Sequence, residues 1–541
     1  MLQNSPENFS DDHSLAPPLL EDPTYDAGNI EKIGIDEMLQ RFSGEFGWWQ
    51  LKHFVLTSLA WSLEAFHTMV MIFADREPDW RCTPGHGSAC ARAMGSVCGL
   101  ESGSWEWVGG SRVSTVSEFG LVCGEKYKVG LVQSAFFAGG LLVTCNGYCF
   151  AGAGIFGHLS DSFLGRKGTL TLVCALNAVS GICTAMAPNY WIYFILRFLT
   201  GVSTGGVGLC SFVLANEPVG PTKRGAAGMS SFYFFSAGIL ILSGIAYIFR
   251  EWRSLYLATS LPSILFVICV VPFILESPRW YLVRGRHSDA MHVMKKIAES
   301  NGAHLPAGIS LVLDNQSSES DESSENSASL LDVVKTPLTR MRLILMVCIN
   351  LACSIVYYGL SLNVVNLGTN LYLNVFVNGI SEMPAFTITA VLLGKFGRRA
   401  MVIATMGLSG AFCILGSAMK GEGLIKGIRM LCGVMGIFGM AGTYNLLFIY
   451  TSELFPTVVR NAALGCVTQA GQVGAILAPM VVVLGGVGSG GPAFGVFGAC
   501  GLAGAALAFC LPETLNQPLY DTMAGLEDAE GEERDMQRTK I

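Results

Sequence analysis

The chain has 541 residues, 51% of them apolar and only 14% charged, with a mean hydropathy of +0.47 and a formal net charge of −7. That leaves too little polar surface to clothe a soluble globule, so the composition places the chain in a membrane. The 64 glycines agree, since small residues let membrane helices approach closely, and a negative net charge with acidity mostly in the tails and one central loop leaves no nucleic-acid footprint.

Residues 1–50 form a polar, acidic tail with no cleavable signal, which is expected to stay in the cytosol. Leu19-Leu20 beside Glu21 and Asp22 offers a dileucine sorting signal, against the plainer reading of a disordered tail. Apolar runs near the length a bilayer core requires then fall at 51–73, 129–159, 169–188, 191–215, 227–249 and 254–275. Six more follow at 343–363, 371–393, 401–419, 428–451, 463–485 and 492–511. The expected fold is therefore all-α and integral to the membrane. A six-helix bundle at 51–275 and a second at 343–511 are joined by a linker at 276–342, with a tail at 512–541.

Basic residues cluster in alternate loops, at Arg166-Lys167, Lys223-Arg224, Arg279 to Arg286, Lys395 with Arg398-Arg399, and Arg460. The positive-inside rule puts these loops and both termini in the cytosol. The opposite face carries the long loop 73–126 with Cys82, Cys90, Cys98 and Cys123, an even number that permits two disulfides of open connectivity, or four free thiols. The Ser/Glu tract at 317–325 of the linker reads as a low-complexity tether.

The two bundles echo each other. Arg197 precedes Gly201 by four residues in the fourth span and Arg429 precedes Gly433 by four in the tenth; Glu217 precedes Arg224 by seven and Glu453 precedes Arg460 by seven. The run Asp161…Gly165-Arg166-Lys167 after span two returns as Gly397-Arg398-Arg399 after span eight, and Glu276-Ser277-Pro278 closing span six returns as Pro512-Glu513-Thr514 closing span twelve. Charges at a membrane boundary need partners, so Asp161, Arg197, Glu217 and Arg224 are expected to form cytosolic ion pairs of a gate, or simply to staple loops.

These motifs, with Ala65-Phe66-His67, Trp80-Arg81-Cys82, Asn216-Glu217-Pro218-Val219-Gly220-Pro221 and Tyr450-Thr451-Ser452-Glu453-Leu454-Phe455-Pro456-Thr457, resemble the organic cation/carnitine transporters of the major facilitator superfamily. Asp75-Arg76-Glu77-Pro78 and the run 157–167 look most like plant members. The resemblance implies a twelve-helix major facilitator fold, two pseudo-symmetric bundles around a central cavity, alternating access, and small organic ions as cargo. It implies no cofactor, a monomer, a vacuolar or plasma membrane, and leaves a coupling proton open. In relatives a charged residue in span eleven selects cations or anions, whereas Gln472 stands there in this chain; the long loop also lacks asparagine, and so the glycosylation usual in animal relatives.

Ionisable residues inside spans are the binding candidates. Glu64 and His67 stand three apart on the first span, a spacing open to proton-coupled binding or to a satisfied core pair; Glu382 is placed to face an ammonium or to pair with Arg429. Tyr357, at a position occupied by a cavity tyrosine in relatives, and Tyr444 supply aromatic faces for a cation, with Gln472 as a polar neighbour. A sugar or polyol porter, which shares Glu276-Ser277-Pro278-Arg279-Trp280, is the competing reading, and a non-transporting membrane sensor is another.

Gly201-Val202-Ser203-Thr204-Gly205 mimics a hydrolase elbow and Gly152 to Gly157 a dinucleotide fingerprint, but neither has the strand context it needs, and no metal-ligand spacing occurs; enzyme activity is not expected. Finally, where the relatives that the chain resembles join a Phe-Phe-Ala-Gly stretch to the run at 157–167 by a short helical spacer, Phe136-Phe137-Ala138-Gly139 is followed here by about nine additional residues, 143–151, which lengthen span two to about 45 Å against a core of about 30 Å. They read as a re-entrant break or a splice or gene-model insertion.

Overall fold

A computed structural model describes residues 31–83, 97–101, 103–144, 155–306, 308–312, 330–419, 421, 423–485, 491–517, 520, 522–523 and 525–527. Leu19-Leu20, Cys90, the tract at 317–325 and residues 145–151 of the extra segment in span two lie outside them.

Helices α1 (Trp48–Met69, continuing to Ala74), α2 (Tyr127–Thr144), α3 (Ile155–Asp161), α4 (Gly165–Ala185), α5 (Tyr190–Asn216), α6 (Pro221–Ile248) and α7 (Trp252–Leu265, continuing to Phe273) build the first half. Two amphipathic helices, α8 (Pro278–Val283) and α9 (His287–Ser300), follow. The second half is α10 (Pro337–Asn363), α11 (Leu371–Phe396), α12 (Arg398–Ala418), α13 (Leu424–Leu454), α14 (Thr457–Gly485) and α15 (Gly491–Ala508). Among the described residues, eleven helices are long and apolar enough to cross a bilayer; the second expected span is divided between α2 and α3.

Several helices begin earlier than hydropathy suggests. Pro221 opens α6 and Pro337 opens α10, each in a first turn where a missing N–H costs nothing, so Lys223, Arg224 and Arg340 are helical although polar. Asn189 caps α5 and Asn370 caps α11, each side chain accepting the backbone N–H three residues on. The hydropathy reading ends at the first charge, but the backbone hydrogen bonds do not.

Packing within the halves repeats. α1 packs on α6 and α10 on α14; α4 packs on α5 and α7, and α12 on α13 and α15; α2 packs on α5, and α11 on α13. The halves meet along two seams, α2 against α14 and α6 against α11. This is the twelve-helix major facilitator fold expected, decorated by two short strand pairs. Along α5, Trp191, Ile195 and Leu199 are exposed as a lipid-facing stripe at four-residue spacing, while Gly201 lies so close to the Phe136 carbonyl of α2 that a methyl would overlap it.

The described parts of the N-terminal segment and of the linker form regular structure. Glu31–Ile33 pairs in parallel with Ile309–Leu311, and Met38 and Leu39 pack with Met294 and Ile297 of α9. This strap is tied to the first bundle: Asp36 accepts from Arg224 (2.8 Å) and from Arg279, and Gly220 N–H donates to the Glu45 carbonyl (2.9 Å). In the long loop, Trp80–Cys82 pairs antiparallel with Trp105–Trp107. Cys98 is bonded to Cys123, and Cys82 is also in a disulfide, which removes the four-thiol alternative.

Candidate functional site

The end of the bundle that carries the strap is rich in arginine and is called the basic end; the other is the loop end. At the basic end the repeat becomes geometry. Arg166 Nε donates to Glu217 (3.2 Å) and its Nη1 to Asp161; Arg398 Nη2 donates to Glu453 (2.7 Å). Beneath each pair a second carboxylate, unassigned in the sequence reading, caps a helix. Glu276 accepts from the backbone N–H of Arg166 (2.9 Å) and Lys167 (3.1 Å), and Glu513 from Arg398 (2.7 Å) and Arg399 (3.0 Å). Both exploit the exposed N–H groups and positive dipole end of α4 and α12. Burial raises the Glu276 carboxyl above its ordinary value, against the lowering effect of its backbone donors. Gly165 (φ +77°) and Gly397 (φ +85°) are required twice over: their backbones favour glycine, and a methyl would collide with the Glu276 or Glu513 carboxylate. The signal for these acids was present, since an acidic residue recurs after spans six and twelve opposite a Gly-Arg helix start.

Of the expected set, Asp161, Glu217 and Arg224 form ion pairs at the basic end and Arg197 does not. Arg224 bonds Asp36 of the strap and the Val219 carbonyl, not Asp161 or Glu217. Its repeat mate Arg460 has Nε and Nη2 without a hydrogen-bond partner among the described residues. Arg197, in the third turn of α5 from the loop end, is far from the basic end. It donates to the His67 carbonyl (3.1 Å) and stacks over Phe136 (4.3 Å to the ring centre). Its repeat mate Arg429 lies in the second turn of α13 from the loop end and is buried. Arg399 reaches the Phe509 carbonyl at 2.6 Å. Each of these described pairs joins elements of one half, so they brace each half internally.

Between the halves lies a cavity of about 200 Å³. Glu64, Tyr357, Tyr444 and Gln472 all line it. Glu64 Oε2 is buried there without a hydrogen-bond partner among the described residues, and its carboxylate fits because residue 208 is glycine; a methyl on Gly208 would overlap it. Aromatic walls surround this acid. Tyr357 packs on Tyr444 at 5.8 Å and on Tyr358 at 5.2 Å, Phe232 lies 6.4 Å from Tyr444, and Trp61 lies 5.2 Å from Phe232. Trp61, Phe212 and Phe232 were missed in the sequence, where their helices are apolar all round and give no face.

Glu382 lies behind this wall. It accepts from Tyr357 Oη (2.8 Å) and Ser236 Oγ (2.5 Å), so it orients the tyrosine and ties α11 to α6; it does not pair with Arg429. His67 is not on the wall either. Its ring sits against Gly181 and, among the described residues, has no hydrogen-bond partner at either nitrogen. Three residues of helix separate Glu64 and His67 by about 60° around the axis; α5 covers the first and α4 the second, so the pair divides.

The halves touch at the loop end. Tyr372 stacks on Phe73 (5.6 Å) and meets Tyr247 edge-on (5.6 Å), Ser243 Oγ donates to the Tyr372 carbonyl (2.7 Å), and Ser134 Oγ donates to the Ile476 carbonyl (2.7 Å). Contacts along the α6–α11 seam continue to Tyr233 and Thr387 (2.6 Å), beyond which Val391 and Phe396 are each 61% exposed. A vestibule of about 350 Å³ lies at the loop end, lined by Asp75, Glu77, Asp79, Trp80 and Lys126.

The sugar (and other) transporter family model matches residues 113–524. The organic cation/carnitine transporter 4 of Arabidopsis thaliana is 62% identical, over 98% of this chain and 98% of its own length. Organic cation/carnitine transporter 2 of the same plant is 34% identical over 92% and 94%, and an organic cation transporter protein of Drosophila melanogaster 31% over 92% and 95%. Among solved structures, the partially occluded inward-open E. coli xylose transporter XylE matches with a TM-score of 0.59 at 16% identity, covering 87% of this chain and 99% of that one. At that identity the likeness concerns the fold.

Proposed function

This chain belongs to the organic cation/carnitine transporters within the sugar (and other) transporter family, and from that premise we propose that it moves small organic cations or zwitterions by alternating access, with Glu64 as the charge that meets them. It is a multi-pass membrane transporter, not an enzyme. The observation that carries the cargo assignment is the Glu64 carboxylate, one oxygen unpartnered, on the wall of an aromatic cavity between the halves. An ammonium group gains there from both the carboxylate and the ring faces, each ring contributing about 0.5–2 kcal/mol. A sugar, needing many neutral donors and acceptors, meets mainly aromatic surface. The neutral Gln472 leaves selection to Glu64 and admits zwitterions.

The basic end faces the cytosol in this reading, by its excess of arginine and lysine, and contacts at the loop end correspond to the conformation closed on the far side. The membrane is that of the vacuole or the cell surface, and the chain works as a monomer. Counterflow of labelled tetraethylammonium, carnitine and glucose in proteoliposomes tests the cargo. Saturable exchange of the first two and none of glucose is expected; glucose exchange supports the porter reading, and binding without flux supports a sensor.

A further inference from the structure

Asp75 follows the last turn of the first span, is 5% exposed, and is among the residues lining the loop-end vestibule. Its two oxygens are held unequally. Oδ1 accepts from Tyr193 Oη and Thr115 Oγ1, both at 2.7 Å, whereas Oδ2 has Gln133 Nε2 at 3.4 Å. The Tyr193 hydroxyl is also 2.9 Å from that of Tyr256, so a chain of hydroxyls runs from the carboxylate into the junction of α1, α5 and α7.

The charged and titratable groups that face Asp75 are few. From α5 come Tyr190, Tyr193 and Arg197, and from α7 Tyr256. From the vestibule come Glu77, Asp79 and Lys126, with Lys126 engaged by Glu77 at 2.9 Å. α2 offers the neutral Gln133 and the loop the neutral Thr115, while α10 and α14 add apolar side chains and Asn366. Arg197 exerts its charge on Asp75 but makes no ion pair with it; Nη2 is spent on the His67 carbonyl and Nη1 has no hydrogen-bond partner among the described residues. A buried carboxylate whose direct donors are all neutral is held weakly as an anion. Burial raises the Asp75 carboxyl above its ordinary value, and the bonds from Tyr193 and Thr115 and the charge of Arg197 only partly offset this.

Resting on the transport reading, we propose that Asp75 is the binding site of a coupling proton, taken up on Oδ2 from the loop-end vestibule. The proton comes from hydronium, leaving water; the new O–H donates to the Gln133 amide oxygen once that amide turns over. A neutral Asp75 holds Thr115 and Tyr193 less strongly, and those two residues tie the loop and α5 to the end of α1. Protonation thereby reaches the loop-end closure, and the proton leaves when the helices part. Asp75 replaces the Glu64–His67 pair as the proton site, because His67 lines neither the cavity nor the vestibule.

The full-length protein in proteoliposomes separates coupling from exchange. Asp75→Asn is expected to keep tetraethylammonium counterflow within about twofold of the parent while accumulation driven by a pH gradient falls at least ~10-fold. Asp75→Glu, which keeps a carboxyl, should retain gradient-driven accumulation, and this control holds even if the Asn variant misfolds. Infrared difference spectroscopy across a pH step should show a protonated-carboxyl band that Asp75→Asn removes; this readout needs no cargo and stands even where the cargo assignment fails. Gradient-driven accumulation that survives in Asp75→Asn, or a parent protein whose carboxyl band is untouched by the substitution, overturns the proposal.

Discussion

Gly397→Ala probes the basic-end networks through a single methyl group. Gly397 has φ +85° and ψ 177°, a region nearly reserved for glycine, and forcing another residue there costs about 1–3 kcal/mol. The methyl also displaces Glu513, which accepts from two backbone N–H groups at the start of α12. Hydrogen bonds to a charged group contribute about 1.5–3 kcal/mol each, and water at this part-buried boundary restores some of that. A net loss of roughly 3–5 kcal/mol is expected. Because Arg398, Arg399, Glu453 and Glu513 all belong to one half, the loss should appear as instability of that half, not as altered cargo affinity. Thermal unfolding in detergent, followed by a thiol-reactive dye that reports buried cysteines such as Cys413 and Cys432, should fall by several degrees. Glu513→Gln should produce most of the same loss, and the double variant little more, since both act through one contact. Gly165→Ala, which meets Glu276 in the same way, should cost a similar amount and add fully to Gly397→Ala. Additivity of Gly397→Ala with Glu513→Gln, or a Gly165→Ala variant as stable as its parent, would refute the shared-network reasoning.

Gly208→Ala pushes the Glu64 carboxylate out of its seat, so the half-saturating concentration for tetraethylammonium should rise about tenfold, with maximal exchange less affected. Although burial acts in the opposite sense, the bonds and charges of Arg279 and Arg224 hold the Asp36 carboxyl below its ordinary value. Its contribution to the strap is therefore complete above the ordinary carboxylate pKa and disappears as pH falls through the depressed one. Limited proteolysis of the N-terminal segment should stay slow from neutral pH into mild acid and accelerate below it, and Asp36→Asn should be cut quickly throughout. Removing the Cys98–Cys123 bond, which closes a 25-residue separation, should destabilise the loop end by about 3 kcal/mol and speed its proteolysis without changing cleavage at the strap.

The architecture was legible because bilayer thickness forces long apolar runs and the duplicated charges marked two equivalent halves. Helix ends were less so, since Pro221 and Pro337 start helices in polar sequence that hydropathy assigns to loops. The basic-end charges were legible as a set but not as pairs. Glu217 and Glu453 chose the arginines after spans two and eight, while Arg224 chose an acid 188 positions away in the strap, a contact no local spacing encodes. Arg197 illustrates a subtler limit: its repeat with Arg429 is real, but both lie towards the loop end, because the sign of a charge in a span does not give its depth. Glu64 and His67 look like neighbours on a helical wheel and are separated by which helix covers each. Cavity aromatics such as Phe212 and Phe232 were invisible among the lipid-facing ones, since both environments favour the same side chains.

The central claim is that a carboxylate in an aromatic cavity selects the cargo by charge, and Glu64→Gln tests it with almost no change of shape. Removing a charge near an ammonium in a partly desolvated site costs up to about 4 kcal/mol before hydration compensates. Equilibrium binding of labelled tetraethylammonium to the purified protein should therefore weaken ~100-fold while the protein's unfolding temperature holds or rises. Affinity unchanged by Glu64→Gln would contradict the account.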